Sequence, residues 1–136
     1  MAATSFDEIS ASLAHHETFV VFAETLAGWR SPATPEGREG REQHYRWAAR
    51  HRARGALLFA GPVDVESTGP GAPTPVGRVS GLLVFRAATR SDADAIAHSD
   101  PFHVAGFREN LVHAWSIRFV QPELGAAIAA SLSWKP

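Results

Sequence analysis

The sequence predicts a single α+β domain in which strand, helix, strand, strand, helix and strand follow one another. Three observations carry the prediction. Residues 18–24, 56–60, 81–85 and 111–120 have the β-branched, aromatic or alternating character of strands. The first and second of these, and the third and fourth, are separated by stretches rich in helix formers with start and stop residues at their ends. The 136 residues, 45% hydrophobic and 20% charged, match a globular chain with one core, and a domain of this size buries roughly two-thirds of its unfolded surface.

Each element has its own signal. Ser5 and Glu8 ahead of Ile9 and Leu13 have the spacing of a capping box, which predicts an N-terminal helix over residues 5–15. The run from Thr18 to Glu24 is apolar on both faces, as suits a strand at the centre of a sheet. Pro32, Pro35, Gly37 and Gly40 punctuate residues 29–40 and predict a loop. Residues 38–54 are then rich in Arg, Glu, Gln and Ala, with Tyr45, Ala48 and Arg52 on one helical face beside His44 and His51, and Gly55 as the stop. Ala56 to Ala60 reads as a short strand ending at Gly61-Pro62.

Residues 62–77 hold Pro62, Pro70, Pro73, Pro75, Gly69, Gly71 and Gly77, and predict a long hairpin arm with too few apolar residues to offset the entropy of ordering it. Gly81 to Phe85 returns as the paired strand. Ser91 is the expected cap of a helix whose first turn carries Asp92 and Asp94. Asp100-Pro101 ends that helix, residues 102–107 make a further helical turn, and residues 111–120 form the last strand before an Ala-rich tail. The whole, residues 1–136, is expected to be one domain with its core at about 18–120.

This order is the split βαβ arrangement of ferredoxin-like folds: an antiparallel sheet with helices on one face, here βαββαβ with an extra N-terminal helix and C-terminal tail. The other sheet face then needs a cover. A second copy of the chain fits best, through the face carrying Phe19 and Val21 or through their alternates.

Thirteen Lys plus Arg against fourteen Asp plus Glu leave a net charge of −1, which gives no global field to gather nucleic acid. The basic residues of 38–54 alternate with Glu39 and Glu42 and read as a solvated helix face. With no cysteine, disulfides and thiolate chemistry are excluded. Residues 1–16 lack a leader pattern and no run approaches a membrane span, so a cytoplasmic setting without a membrane partner is expected.

Arg41-Glu42-Gln43-His44, then Gly55, Leu57-Leu58, Ala60-Gly61-Pro62, and later Asp100-Pro101-Phe102 with Ala105-Gly106, form an ordered set that resembles the YCII-related family of dimeric α+β barrels. The resemblance covers residues 18–120. It implies a homodimer and a His/Asp pair beside a cleft, carried here by His44 and Asp100. It also implies proton transfer on small cyclic or aromatic-derived compounds, such as isomerisation or elimination of halide. His51, at a position usually apolar in the family, and the added N-terminal helix are departures that bear on substrate rather than fold.

The pair is sound chemistry in its own right. Imidazole titrates near neutral pH, and a carboxylate on its other nitrogen sets tautomer and orientation. The alternative is that His44 covers a helix face and Asp100 only shapes the turn before Pro101. Neither element needs the pair for its own stability, so removing either side chain is expected to spare the fold. Arg41, one turn before His44, can hold a substrate oxygen or merely join a surface ion pair. The seven histidines, including His15-His16-Glu17 and the set His98, Asp100 and His103, lack a recognised metal spacing. Trp47, Trp115, Phe19, Phe22, Phe59 and Phe85 can line a pocket for a planar ligand but suit a core better.

The sequence therefore leads to a small-molecule lyase or isomerase. His44 moves a proton, Asp100 orients it, Arg41 with backbone amides steadies negative charge, and no cofactor or metal is required. The competing expectation is a dimeric module that binds or senses a small ligand without turning it over.

Overall fold

The computed structural model describes residues 17–64, 76–117 and 119–130. The expected N-terminal helix and most of the long arm lie outside these residues. The elements in chain order are β1 (Glu17–Thr25), α1 (Pro35–Ala53), β2 (Leu57–Pro62), β3 (Val79–Ala87), α2 (Arg90–His98), α3 (Pro101–Val104), β4 (Arg108–Ala114) and α4 (Pro122–Ala130). The sheet runs β2-β3-β1-β4, every neighbour antiparallel. β3 thus sits between β1 and β2, and β1 between β3 and β4, which is the ferredoxin-like α+β arrangement.

Register places Phe19 opposite Phe85 and Ala114, and Val21 opposite Leu83 and Val112. Phe19, Val21, Leu83, Phe85 and Val112 point to one face and make the core with Trp47 of α1 and Ala93 and Ala97 of α2. Phe19 and Val21 are buried beneath the chain's own helices. Of the two faces proposed for a second copy, only their alternates remain: Val20, Phe22 and Leu82 are half-buried on the opposite side. Among the described residues no helix is long and apolar enough to cross a membrane.

Several boundaries differ from the sequence reading, three of them with a clear physical reason. α1 begins at Pro35 rather than residue 38, because Thr34 in extended conformation caps it, its side chain accepting from the Gly37 amide at 3.1 Å, while Pro35 occupies the first turn, where its missing N–H costs nothing. The buried stripe of α1 is Gly37, Gly40, His44 and Trp47, whereas Tyr45 is 56% exposed. Two of its four members are glycines, so the stripe carries almost no apolar signal. α2 is capped by Thr89, which accepts from the Asp92 amide at 3.1 Å, not by Ser91. β4 spans 108–114 instead of 111–120; it leaves the ladder after Ala114 and the chain enters α4, where only a tail was expected.

Candidate active site

The site is assembled where α1 meets the turn between α2 and α3. Asp100-Pro101 builds that turn twice over: Pro101 opens α3, and Asp100 caps it by accepting from the Phe102 amide through Oδ1 at 3.0 Å. α3 ends after one turn at Gly106, whose φ of +76° is the left-handed conformation glycine adopts freely. The Gly106 and Phe107 amides close onto the His103 and Phe102 carbonyls at 3.1 and 2.9 Å. Asp100 is thereby held with its carboxylate facing α1.

His44 Nδ1 lies 2.7 Å from Asp100 Oδ1, across 56 residues of sequence. Asp100 is fully buried. Its second oxygen accepts from Asn110 Nδ2 at 3.0 Å, and the same amide group donates to the Ala97 carbonyl at 2.8 Å. Both carboxylate oxygens are thus committed to donors, as a buried charge requires. The carboxylate at Nδ1 orients the ring and leaves Nε2 as the nitrogen not engaged with Asp100. The ring stacks on Phe102 at 4.2 Å and 16°, and Trp47 lies 5.7 Å away. Trp47, one turn along α1, donates its indole N–H to Ser99 Oγ at 2.9 Å, so two adjacent anchors tie the helix to this turn. The His44 side chain keeps 11% of its surface open.

The expectation that Asp100 can be removed without cost to the fold does not fit this geometry. Its carboxylate caps α3, fixes Asn110 and is sealed from water, so the turn depends on it.

Arg41 is turned away from the pair. Its Nε donates to Tyr45 Oη at 3.1 Å and its guanidinium lies over the Tyr45 ring at 5.3 Å. Tyr45 links it to the centre, ring to ring with His44 at 5.8 Å. The depression that Arg41 borders is lined by α1 residues, among them Pro35, Arg38, Glu42 and Tyr45. His98 and His103 stack on each other at 4.6 Å, and His103 Nδ1 accepts from the Asn110 amide at 3.2 Å, while Asp100 faces His44 instead.

Two residues at this corner escaped the sequence reading. Asn110 is the second support of Asp100, and Arg108 lies with its guanidinium 4.9 Å from the Trp29 ring and 4.8 Å from that of Phe102. Burial lowers the Arg108 pKa, while the charges of Asp100 and Tyr45 pull it back up. Trp29 reaches this corner because Gly28 packs against the α3 turn, where a Cβ would come within 2.5 Å of the Gly106 carbonyl oxygen. The missed signal was alternation. With the last strand begun at Arg108, the inward positions read Arg108, Asn110 and Val112, and two polar residues aimed at a core mark a site.

A search of the curated proteins finds no significant match. Among solved structures the chain is similar to the 5-chloro-2-hydroxyhydroquinone dehydrochlorinase TftG from Burkholderia phenoliruptrix AC1100, solved in complex with 2,5-dihydroxybenzoquinone. The two share 17% identity and a TM-score of 0.50 over 73% of this chain and 93% of TftG, a likeness of fold. The model of the YCII-related domain matches residues 19–116, most of the chain and all four strands but the first two residues of β1. By that match, the chain belongs to the YCII-related domain family.

Proposed function

We propose that this protein is a small-molecule lyase or isomerase in which His44 is the proton-transfer group and Asp100 its orienting carboxylate. The observation that carries the reading is the buried 2.7 Å contact between His44 Nδ1 and an Asp100 whose remaining hydrogen bonds are all made. In this reading Nε2 takes a proton from a carbon next to a carbonyl or enol group. The C–H electron pair then forms a new double bond. In a lyase a leaving group departs with its own bonding pair from the neighbouring carbon; in an isomerase the proton returns to a different atom. TftG, named as a dehydrochlorinase and bound to a dihydroxybenzoquinone, is a protein of similar fold linked to elimination from a small ring, and supports this class. Arg41 and Tyr45 form the outer rim of the site, Arg41 as a cation for incoming substrate. The working unit is a cytoplasmic homodimer joined through the sheet face of Val20, Phe22 and Leu82.

One observation favours a second reading, a ligand-binding module without turnover. The same hydrogen bonds tie α1 to the α2–α3 turn, which is a structural duty. Incubating the protein with a broad mixture of small metabolites, wild type beside His44→Ala, separates the two. The enzyme reading expects metabolites consumed by wild type alone. Ligands retained equally by both proteins, with no product, establish the module instead.

A further inference from the structure

Among the described residues, Arg108 is a partly buried cation with no hydrogen-bond partner at Nε. It stands on the inward face of β4, opposite Thr25 of β1. Its guanidinium reaches across the sheet to where Gly81 has no side chain: a Cβ there would lie 3.0 Å from Nη1. Nε is buried without a hydrogen-bond partner, and among the described residues no hydrogen bond or salt bridge engages the group. Asp100 acts on Arg108 through its charge, but its hydrogen bonds go to His44, Phe102 and Asn110 and none reaches the guanidinium. Burying Nε without an acceptor is unfavourable, and cation–π contacts with Trp29 and Phe102 offset only part of that cost. A cation kept in this state is arranged for an anion that arrives from outside.

The surroundings narrow that anion. Trp29, Phe102 and Phe107 form a cluster of flat rings with centroids 5.3 to 5.9 Å apart. A guanidinium resting on such rings donates edge-on, in its own plane, the geometry suited to a carboxylate or a pair of oxygens. Phe102 is also the ring on which His44 stacks at 4.2 Å, so cation and imidazole both pack on Phe102. We propose that Arg108 is the substrate's anion receptor, and that the substrate is a planar compound bearing an ionised oxygen, a carboxylate or an enol or phenol oxygen. The proposal rests on the site assigned above. It adds that negative charge developing on that oxygen as His44 takes the proton is stabilised by Arg108 from within, while Arg41 stays at the rim.

The test uses benzoate as the probe and benzamide as its neutral counterpart, with binding to the full chain read by calorimetry and by the Arg108 Nε–H resonance. Benzoate is expected to bind wild type and shift that resonance, with benzamide weaker by about tenfold or more. Arg108→Gln should lose benzoate affinity by at least about tenfold, and Arg108→Lys should recover part of it. Equal affinity for the two probes, no benzoate binding at millimolar concentration, or unchanged benzoate affinity in a folded Arg108→Gln overturns the proposal. The wild-type comparison stands even where the variant fails to fold. Because the measurement needs no turnover, failure of the proton-transfer reading leaves the benzoate result intact.

Discussion

Asp100 performs two tasks with one carboxylate, and the tasks separate by substitution. Asp100→Asn keeps the shape but withdraws the charge and, whichever way the amide turns, sets its NH2 group against at least one existing donor. It should destabilise the fold by about 1–3 kcal/mol, read by chemical denaturation. His44→Gln leaves Asp100 with the Phe102 and Asn110 donors and should cost about 1 kcal/mol or less while lowering turnover of any identified substrate by about 10²–10⁴-fold. Activity within tenfold of wild type in a folded His44→Gln would remove His44 from the chemistry. His51 has a different signature. Desolvation, with Arg54 and Arg50 adding repulsion, lowers its pKa from the ordinary 6.5, and its Nδ1 is buried without a partner. The unfolded chain therefore binds the extra proton first as pH falls below 6.5, so stability is full above that value and declines towards the folded-state pKa. His51→Phe, which retains contact with Trp47 and Phe85, should flatten the fall in melting temperature on acidification through this window. An unchanged slope would show that other groups govern it.

At the scale of elements, α1 illustrates how a helix can be specified by what it lacks. Gly37 and Gly40 look like breakers in sequence, yet a Cβ on Gly37 would come within 1.9 Å of the Ser31 carbonyl oxygen, and one on Gly40 within 2.8 Å of Phe107 Cε2. The helix tolerates both glycines because only they let it approach the preceding loop and the α3–β4 turn. Alanine normally favours a helix over glycine by about 0.5–1 kcal/mol. Here Gly37→Ala should destabilise by about 1–3 kcal/mol, since the obstacle is backbone. Gly40→Ala should cost less, since a ring can shift. Denaturation midpoints in the order wild type, Gly40→Ala, Gly37→Ala check the argument, and a stabilised Gly37→Ala would refute it. The end of α1 was legible from sequence for a concrete reason. Gly55 adopts φ +80°, and the Gly55 and Ala56 amides return to the Arg52 and His51 carbonyls at 3.0 Å, a stop that nearly requires glycine.

For the whole molecule, the sheet buries Phe19, Val21, Leu83 and Phe85 under α1 and α2, and presents Val20, Phe22 and Leu82 on the other side. Pairing these half-buried faces across a two-fold axis is the expected assembly. Light scattering at micromolar concentration should give about twice 14.6 kDa. A charged pair of substitutions, Val20→Lys with Phe22→Glu, should shift the protein towards monomer without displacing the His44–Asp100 contact, which lies on the opposite face. A wild-type monomer across that range would remove the dimer from the proposal.

The sequence by itself determined the order of the elements from β1 to β4, the βαββαβ topology that follows from it, and the positions where local chemistry rules: Gly55, the Asp100-Pro101 turn, and the apolar run of β1 that needs the sheet's centre. Each is a property of neighbours along the chain. It also indicated His44 and Asp100 as residues to watch, through the ordered motifs around them. Only the tertiary structure decided which face of α1 points inward, because glycines and a histidine fill that stripe and no hydrophobic period announces it. It alone turned Arg41 outward to Tyr45 and brought Asn110 and Arg108 inward, because the start of β4 is set by its pairing with β1 and not by its own residues. Thr25 opposite Arg108 and Ala23 opposite Asn110 are relations across a sheet, and a one-residue change of register would have put both polar side chains in water.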